Sequence, residues 1–156
     1  MKKVLMLAIG MLLVASCSKN NDVITGKPES SSIGYGIFGS DAGQAGDLRT
    51  INFDFDKTTL TAEAKTILKA NAEWLKKNPK ISIQIEGHCD SRGTIEYNLA
   101  LGEKRAITVK KYIMALGVKK ERLSVISYGK ERPLVKEDNE AAWAKNRRAN
   151  FVITSK

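Results

Sequence analysis

Residues Ile81 to Ala106 read ISIQIEGHCDSRGTIEYNLALGEKRA. The first part alternates, with Ile81, Ile83 and Ile85 set against Ser82, Gln84 and Glu86, the period of a strand with one buried face. The period then changes. Ala106, Val109, Ile113 and Leu116 fall on one side of a helix that runs from about Ile95 to Leu116, and Gly117 is its C-terminal stop. The loop between strand and helix holds the only histidine of the chain, His88, and one of its two cysteines, Cys89, followed by Asp90 and Arg92. A His-Cys-Asp run raises the prospect of a metal site or a thiol nucleophile, and the rest of the chain has to decide.

Working outward, Ile51-Asn52-Phe53-Asp54-Phe55-Asp56 also alternates and predicts a first strand. A helix follows from near Thr61 to Lys77, with Leu60, Ala64, Ile67, Leu68, Trp74 and Leu75 as its apolar stripe and Asn78-Pro79 as its stop. Leu123–Tyr128 predicts a third strand, Asn139–Asn146 a short helix and Ala149–Thr154 a last strand. No internal repeat is present. The order is β-α-β-α-β-(α)-β, which predicts an α/β two-layer sandwich, two main helices packed on a four-stranded mixed sheet.

The N-terminus sets the compartment. Met1-Lys2-Lys3 precedes an apolar run from Val4 to Ala15, a secretory signal too short to span a bilayer. Val14-Ala15-Ser16-Cys17 resembles a bacterial lipobox, which implies cleavage after residue 16 and lipidation of Cys17. Two or more acyl chains make a stable anchor where one does not. Residues 17–47 are polar and small, with Ser30-Ser31-Ser32, Pro28 and several glycines, and read as a flexible tether of roughly 30 Å as a coil. The domain proper is expected at 48–156. The chain has 156 residues and a formal net charge of +9, or +7 without Lys2 and Lys3. Outside the cytoplasm that charge points away from nucleic acid and toward an acidic wall polymer or a lipid surface.

Asn98, Leu101 and Arg105 are spaced i, i+3 and i+7 on the second helix and share a stripe beside Ala106 and Val109. Arg105 is thus a cation at the edge of a buried surface, where it needs an anionic partner or a ligand carboxylate. Asp90 is the nearest candidate along the chain. An Asp90/Arg105 pair can clasp a zwitterion, the carboxylate taking an ammonium and the guanidinium fork taking a carboxylate. A structural ion pair is the alternative that the two charges alone leave open. A metal site wants three or four ligands at recognisable spacing, and the chain offers no second histidine. A thiol nucleophile needs a base aimed at it, which an immediate neighbour is poorly placed to be. Cys89 is therefore expected as a small buried side chain and His88 as a loop-fixing hydrogen-bonding group. Arg147-Arg148 is either a patch for an acidic polymer or one arginine paired with a core-edge carboxylate beside a solvated one.

These residues also carry a resemblance. Glu86–Thr94 followed by Glu96-Tyr97-Asn98-Leu99-Ala100-Leu101-Gly102-Glu103-Lys104-Arg105-Ala106 is similar to the OmpA C-terminal-like family, closest to its peptidoglycan-associated lipoprotein branch. Phe53-Asp54-Phe55-Asp56, Ser127-Tyr128-Gly129-Lys130-Glu131-Arg132-Pro133 and Glu140–Ala149 match it in order, over Leu48 to the C-terminus. The resemblance implies a non-enzymatic outer-membrane lipoprotein whose domain lies in the periplasm. It would bind peptidoglycan through the meso-diaminopimelate of the stem peptide, with no cofactor and no metal. It also implies roles: Asp90 and Arg105 grip the ligand, Leu101 and Arg92 line the pocket, Phe55 and Asp56 contribute largely through backbone, and Asn98 steadies the loop. Ser91 departs from the glutamate usual there and removes an acidic rim charge. A periplasmic TolB-like protein is the implied protein partner, within a Tol–Pal system that supports envelope integrity and cell division. The competing class is an enzyme on peptidoglycan, an amidase or a lytic glycosidase: zinc hydrolysis needs His/Asp clusters that are absent, and glycoside cleavage wants two carboxylates flanking a cleft, for which Asp54 and Asp56 fall on one face of the first strand.

Overall fold

The structure is a computed structural model that describes residues 39–155. The predicted signal peptide, Cys17 and the first part of the tether lie outside the described residues. Four strands and three helices follow in the order β1 (Ile51–Asn52), α1 (Ala62–Lys77), β2 (Ser82–His88), α2 (Ile95–Ala115), β3 (Leu123–Gly129), α3 (Glu140–Asn146) and β4 (Arg148–Ser155). The sheet order is β1-β4-β2-β3, with β2 and β3 parallel and β4 antiparallel to both β1 and β2. The predicted mixed α/β sandwich is the observed fold.

The core lies on one face of the sheet. Ile83, Ile85, Phe151 and Ile153 meet Leu68, Ala72 and Leu75 of α1 and Ala106, Val109 and Ile113 of α2, all of them buried. Each helix is capped as its sequence demands. Thr61 accepts from Ala64 N at 3.1 Å and Thr94 from Tyr97 N at 3.2 Å, so each threonine satisfies one free N–H of a first turn. Asn71 interrupts the apolar stripe of α1 but is fully buried. It donates to Arg49 O and accepts from Arg49 N, at 2.8 and 3.0 Å, and so fastens the chain entering β1.

Two expectations need correction. The first strand was predicted to reach Asp56, yet β1 ends at Asn52. Phe53 N still bonds Arg147 O at 2.9 Å, but the chain then turns, with Asp56 at φ +54°. Alternation misleads here because Phe53 is buried and Phe55 is not: the apolar side chain at Phe55 is 56% exposed. Asp54 and Asp56 therefore do not share a strand face. The second correction concerns residues 39–47, whose lack of hydrophobic period puts them in the tether on sequence grounds. They pack instead. Ser40 shares a hydrogen bond with Thr50 and accepts from Phe151 N, Asp41 pairs with Arg148, and Ala45 is fully buried in the core.

One close approach positions everything that follows. A Cβ on Gly87 would run into the carbonyl of Gly102, and a Cβ on Gly102 into Ser127. Two glycines thus let the first half of α2 lie directly on the end of β2. That contact sets where the β2–α2 loop stands over the sheet.

Candidate functional site

A cavity of about 190 Å³ opens at the end of β2 beside the start of α2. It is lined by Phe55, Asp56, Asp90, Arg92, Asn98, Leu101 and Arg105, together with Cys89, Gly93 and Tyr97. All seven residues singled out in the sequence therefore meet in one place, drawn from the turn after β1, the β2–α2 loop and one face of α2.

Arg105 anchors the floor. It is 1% exposed. Its Nε donates to Lys57 O at 2.9 Å, Nη1 to His88 O at 2.9 Å and Nη2 to Asp54 O at 3.1 Å, while Nη1 also stands 3.5 Å from Cys89 Sγ. A guanidinium carries five N–H donors, so one Nη2 proton has no acceptor among the described residues. Burial lowers the Arg105 pKa from its ordinary value, with Cys89 and Asp90 acting the other way. The structural Asp90–Arg105 ion pair, the alternative the two charges alone left open, is absent among the described residues. Backbone carbonyls hold Arg105 instead, and the turn 54–57 is shaped around it.

Asp90 is engaged elsewhere. Its Oδ1 accepts from Arg92 N and Nε, both at 3.2 Å, and its Oδ2 from Arg92 Nη2 at 2.7 Å and Arg147 Nη1 at 3.3 Å. Burial pushes the Asp90 carboxyl up, but the hydrogen bonds from Arg92 and Arg147 outweigh it and hold the group below the usual carboxylate range. Arg92 lies between two rings, its guanidinium carbon 3.9 Å from the Phe55 centroid and 4.0 Å from that of Trp143. Asn98 is buried and donates to Arg92 O at 2.7 Å and Thr94 O at 3.0 Å, tying the loop to the first turn of α2.

Some neighbours were missed. Tyr97 hydroxyl donates to Asp56 Oδ1 and closes one wall. It lies i, i+4 and i+8 with Leu101 and Arg105, a spacing that could have identified it. Trp143, Glu140 and Asp138 come from α3 and the segment before it, and no local pattern links them to the loop. Asp138 accepts from Ser91 Oγ at 3.0 Å and from Trp143 Nε1 at 2.8 Å. The carboxylate absent at Ser91 is thus supplied to the rim from another segment.

His88 and Cys89 have structural places. Cys89 is buried, its thiol donates to Asn98 O at 3.3 Å, and burial pushes its pKa up, which opposes thiolate formation. The loop-fixing role expected of the His88 side chain falls to its backbone carbonyl, which takes Arg105. Both ring nitrogens are buried without a hydrogen-bond partner, and Nε2 stands 3.5 Å from Glu86 Oε2, too far for a well-formed bond. Burial lowers the imidazole pKa, so the ring is neutral. Among the described residues, no three His, Cys, Asp or Glu side chains converge as metal ligands. Arg147 and Arg148 are both buried. Arg147 bridges Asp90 and Glu140, and Arg148 pairs with Asp41, so neither is solvated.

The chain as a whole has counterparts among known proteins. A peptidoglycan-associated lipoprotein of Rhizobium meliloti (strain 1021) is 39% identical over 155 residues, covering 95% of this chain and 86% of the relative. One from Haemophilus influenzae is 40% identical, covering 94% of each. The crystal structure of the peptidoglycan-associated lipoprotein from Burkholderia pseudomallei superposes with a TM-score of 0.66 at 39% identity, over 73% of this chain and 93% of that one. Residues 52–147, from the end of β1 to the residue before β4, match the OmpA family. That segment contains the two-glycine contact, the cavity and every residue that lines it, and the chain belongs to the OmpA family.

Proposed function

We propose that this chain is a lipid-anchored protein of the bacterial envelope whose domain binds peptidoglycan without cleaving it. The observation that carries this reading is Arg105: a buried guanidinium lines a cavity and is paired with no carboxylate among the described residues. Such a charge is completed by a ligand carboxylate. Asp90 lies across the same cavity, so a group bearing an ammonium and a carboxylate on one carbon can satisfy both. The side chain of meso-diaminopimelate in a stem peptide is such a group. The ammonium would take Asp90 in place of Arg92, which is part-exposed, while Arg147 stays bound to it. Leu101 and the Phe55–Asp56 turn would enclose the ligand's methylenes.

The names of the relatives support both halves of this reading, the attachment to peptidoglycan and the lipid. Acylated Cys17 would hold the chain in the outer membrane, with the domain in the periplasm and residues 18–38 as the reach between them. A TolB-like periplasmic protein, in a Tol–Pal system serving envelope integrity and division, is supported by the resemblance of the sequence alone.

Sedimentation with purified sacculi tests the proposal. The chain should co-sediment without clearing the suspension, and a diaminopimelate stem peptide should release it. A stem peptide with lysine at that position lacks only the second carboxylate, and so removes the partner of Arg105. Leaving that charge unpaired costs about 2–4 kcal/mol, so the lysine peptide should compete roughly 30- to 1000-fold less well. Equal competition by the two peptides would overturn the assignment of Arg105.

A further inference from the structure

The charge of the domain sits at one end. Residues 39–155 contain 21 basic and 15 acidic side chains, a net +6. Residues 73–82 and 110–124 contain eight basic and two acidic of these, and everything else holds thirteen of each. The whole excess therefore lies in two short segments. They are brought together by Arg122, which donates to Ile81 O at 2.7 Å, Leu75 O at 2.9 Å and Asn78 O at 2.8 Å. This clamp joins the last turn of α1, the entry to β2 and the 3₁₀ turn before β3. The parallel strands β2 and β3 begin here and end at the cavity, so the basic end and the ligand site are at opposite poles.

Lys76, Lys77, Lys80, Lys111, Lys119 and Lys120 are exposed at this pole. Lys76 pairs with Glu73, and the other five have no ion pair among the described residues. Lys76 and Lys77 complement the C-terminal dipole of α1. That account does not reach Lys80 and Lys119, which lie outside the helices. The exposed large apolar side chains, Phe55, Ile95, Tyr97, Leu99 and Leu134, all belong to segments of the other pole. In the two basic segments the large aromatic side chains, Trp74 and Tyr112, are half-buried against the core, so none stands free as the anchor on which a protein interface depends. Flexible, exposed lysines suit a broad, fluid sheet of phosphate charge.

We propose that the lysine pole rests on an anionic phospholipid surface, so that the domain stands with its ligand cavity turned away from the membrane. The proposal rests on the lipid-anchored reading only for bringing the domain near a bilayer. Amine footprinting of the acylated full chain in vesicles tests it. In vesicles containing phosphatidylglycerol, Lys76, Lys77 and Lys111 should be labelled several-fold more slowly than in phosphatidylcholine vesicles. Lys65 and Lys136, at the other pole, should be labelled equally in both. High salt should abolish the difference. Each lysine near such a surface adds about a factor of five to its occupancy. The variant Lys80→Gln/Lys119→Gln/Lys120→Gln, changed only at exposed positions, should therefore lose roughly a hundredfold in occupancy, and with it the protection. Equal labelling of the pole in both vesicles, or protection that survives the triple substitution or high salt, overturns the proposal. Flotation with both vesicle types reports the anchor separately, and sacculus sedimentation of the triple variant reports the cavity.

Discussion

Arg105→Met isolates what the buried guanidinium does for the fold. Methionine keeps most of the stem volume and removes every donor. Three carbonyls then lose a charged partner. Those of Asp54 and Lys57 belong to an exposed turn and can recover water, whereas that of His88 is enclosed. An enclosed carbonyl without a partner costs about 1–3 kcal/mol, and each rehydrated one about 0.5–1 kcal/mol. Relief of the desolvation that lowers the Arg105 pKa offsets part of this. The balance is a loss of about 3 kcal/mol, which in a domain of this size lowers Tm by roughly 10–15 °C. Calorimetry measures that shift. Hydrogen exchange should localise it, with the amide of Lys57, which donates to Asp54 O, exchanging faster. Arg105→Lys, which keeps the charge without the fork, should fall between wild type and Arg105→Met. Sacculus binding should be lost in both variants at temperatures where they remain folded. A Tm within about 2 °C of wild type would show that the carbonyls do not depend on Arg105. Unchanged binding would remove Arg105 from the site.

Gly87→Ala should unfold the domain or cost more than about 3 kcal/mol, read as the urea midpoint, because the new Cβ meets the backbone carbonyl of Gly102, which has no rotamer to escape to. Two windows of pH dependence are expected. The His88 imidazole has a folded pKa lowered by burial, so its contribution is present above the unfolded value near 6.5 and lost as pH falls below it. Substituting His88→Phe should flatten the urea midpoint between pH 7 and 5. The Asp90 carboxyl is also held low, and its contribution is lost only below about pH 4; Asp90→Asn should flatten the midpoint there and leave the upper window intact. The Cys89 thiol should react with a disulfide reagent far more slowly in the native protein than in urea, and Cys89→Ala should keep sacculus binding, because the thiol is buried and its pKa raised.

The long periodic elements were legible because one pattern of burial repeats along each of them. The helices end at Lys77 and Ala115 and the strands run through Ile83–Ile85 and Leu123–Tyr128, as their alternation and caps require. The site residues were legible for a related reason: Asn98, Leu101 and Arg105 lie on one helix face, and Asp90 and Arg92 sit in the loop that feeds it. Contacts made by single residues left no period to read. Ser40, Asp41 and Ala45 each fix residues 39–47 at one point, so the segment has the composition of a linker and the packing of a domain. The turn at Phe55 and Asp56 keeps a strand's alternation, although its shape comes from Arg105, about fifty residues away. Trp143, Asp138 and Glu140 reach the rim only because α3 packs beside the β2–α2 loop.

That arrangement changes what the cavity can do. Two charges waiting for a zwitterion would be costly, since an unpaired carboxylate and an unpaired guanidinium in one cleft each lose hydration. The fold avoids this by two different routes. Arg105 is held by carbonyls, which stabilise its charge without cancelling it, and so it still attracts an anion. Asp90 is cancelled outright, by two partners that differ in freedom: Arg147 is buried and fixed by Phe53 O and Glu140, whereas Arg92, which makes the closer, two-pronged contact with Asp90, is a third exposed and stacks between two ring faces. On the proposed function, an arriving ammonium would exchange with the more exposed Arg92 and need not strip Asp90 of both partners. A released Arg92 can keep its stacking between Phe55 and Trp143 and meet Glu140, whose Oε2 already stands 3.9 Å away. On the proposed function, exchange of one cation for another, over a carboxylate that is never left bare, would let a preformed pocket select a zwitterion. A lone ammonium would gain little over Arg92, and only a ligand that also completed Arg105 would gain from both ends.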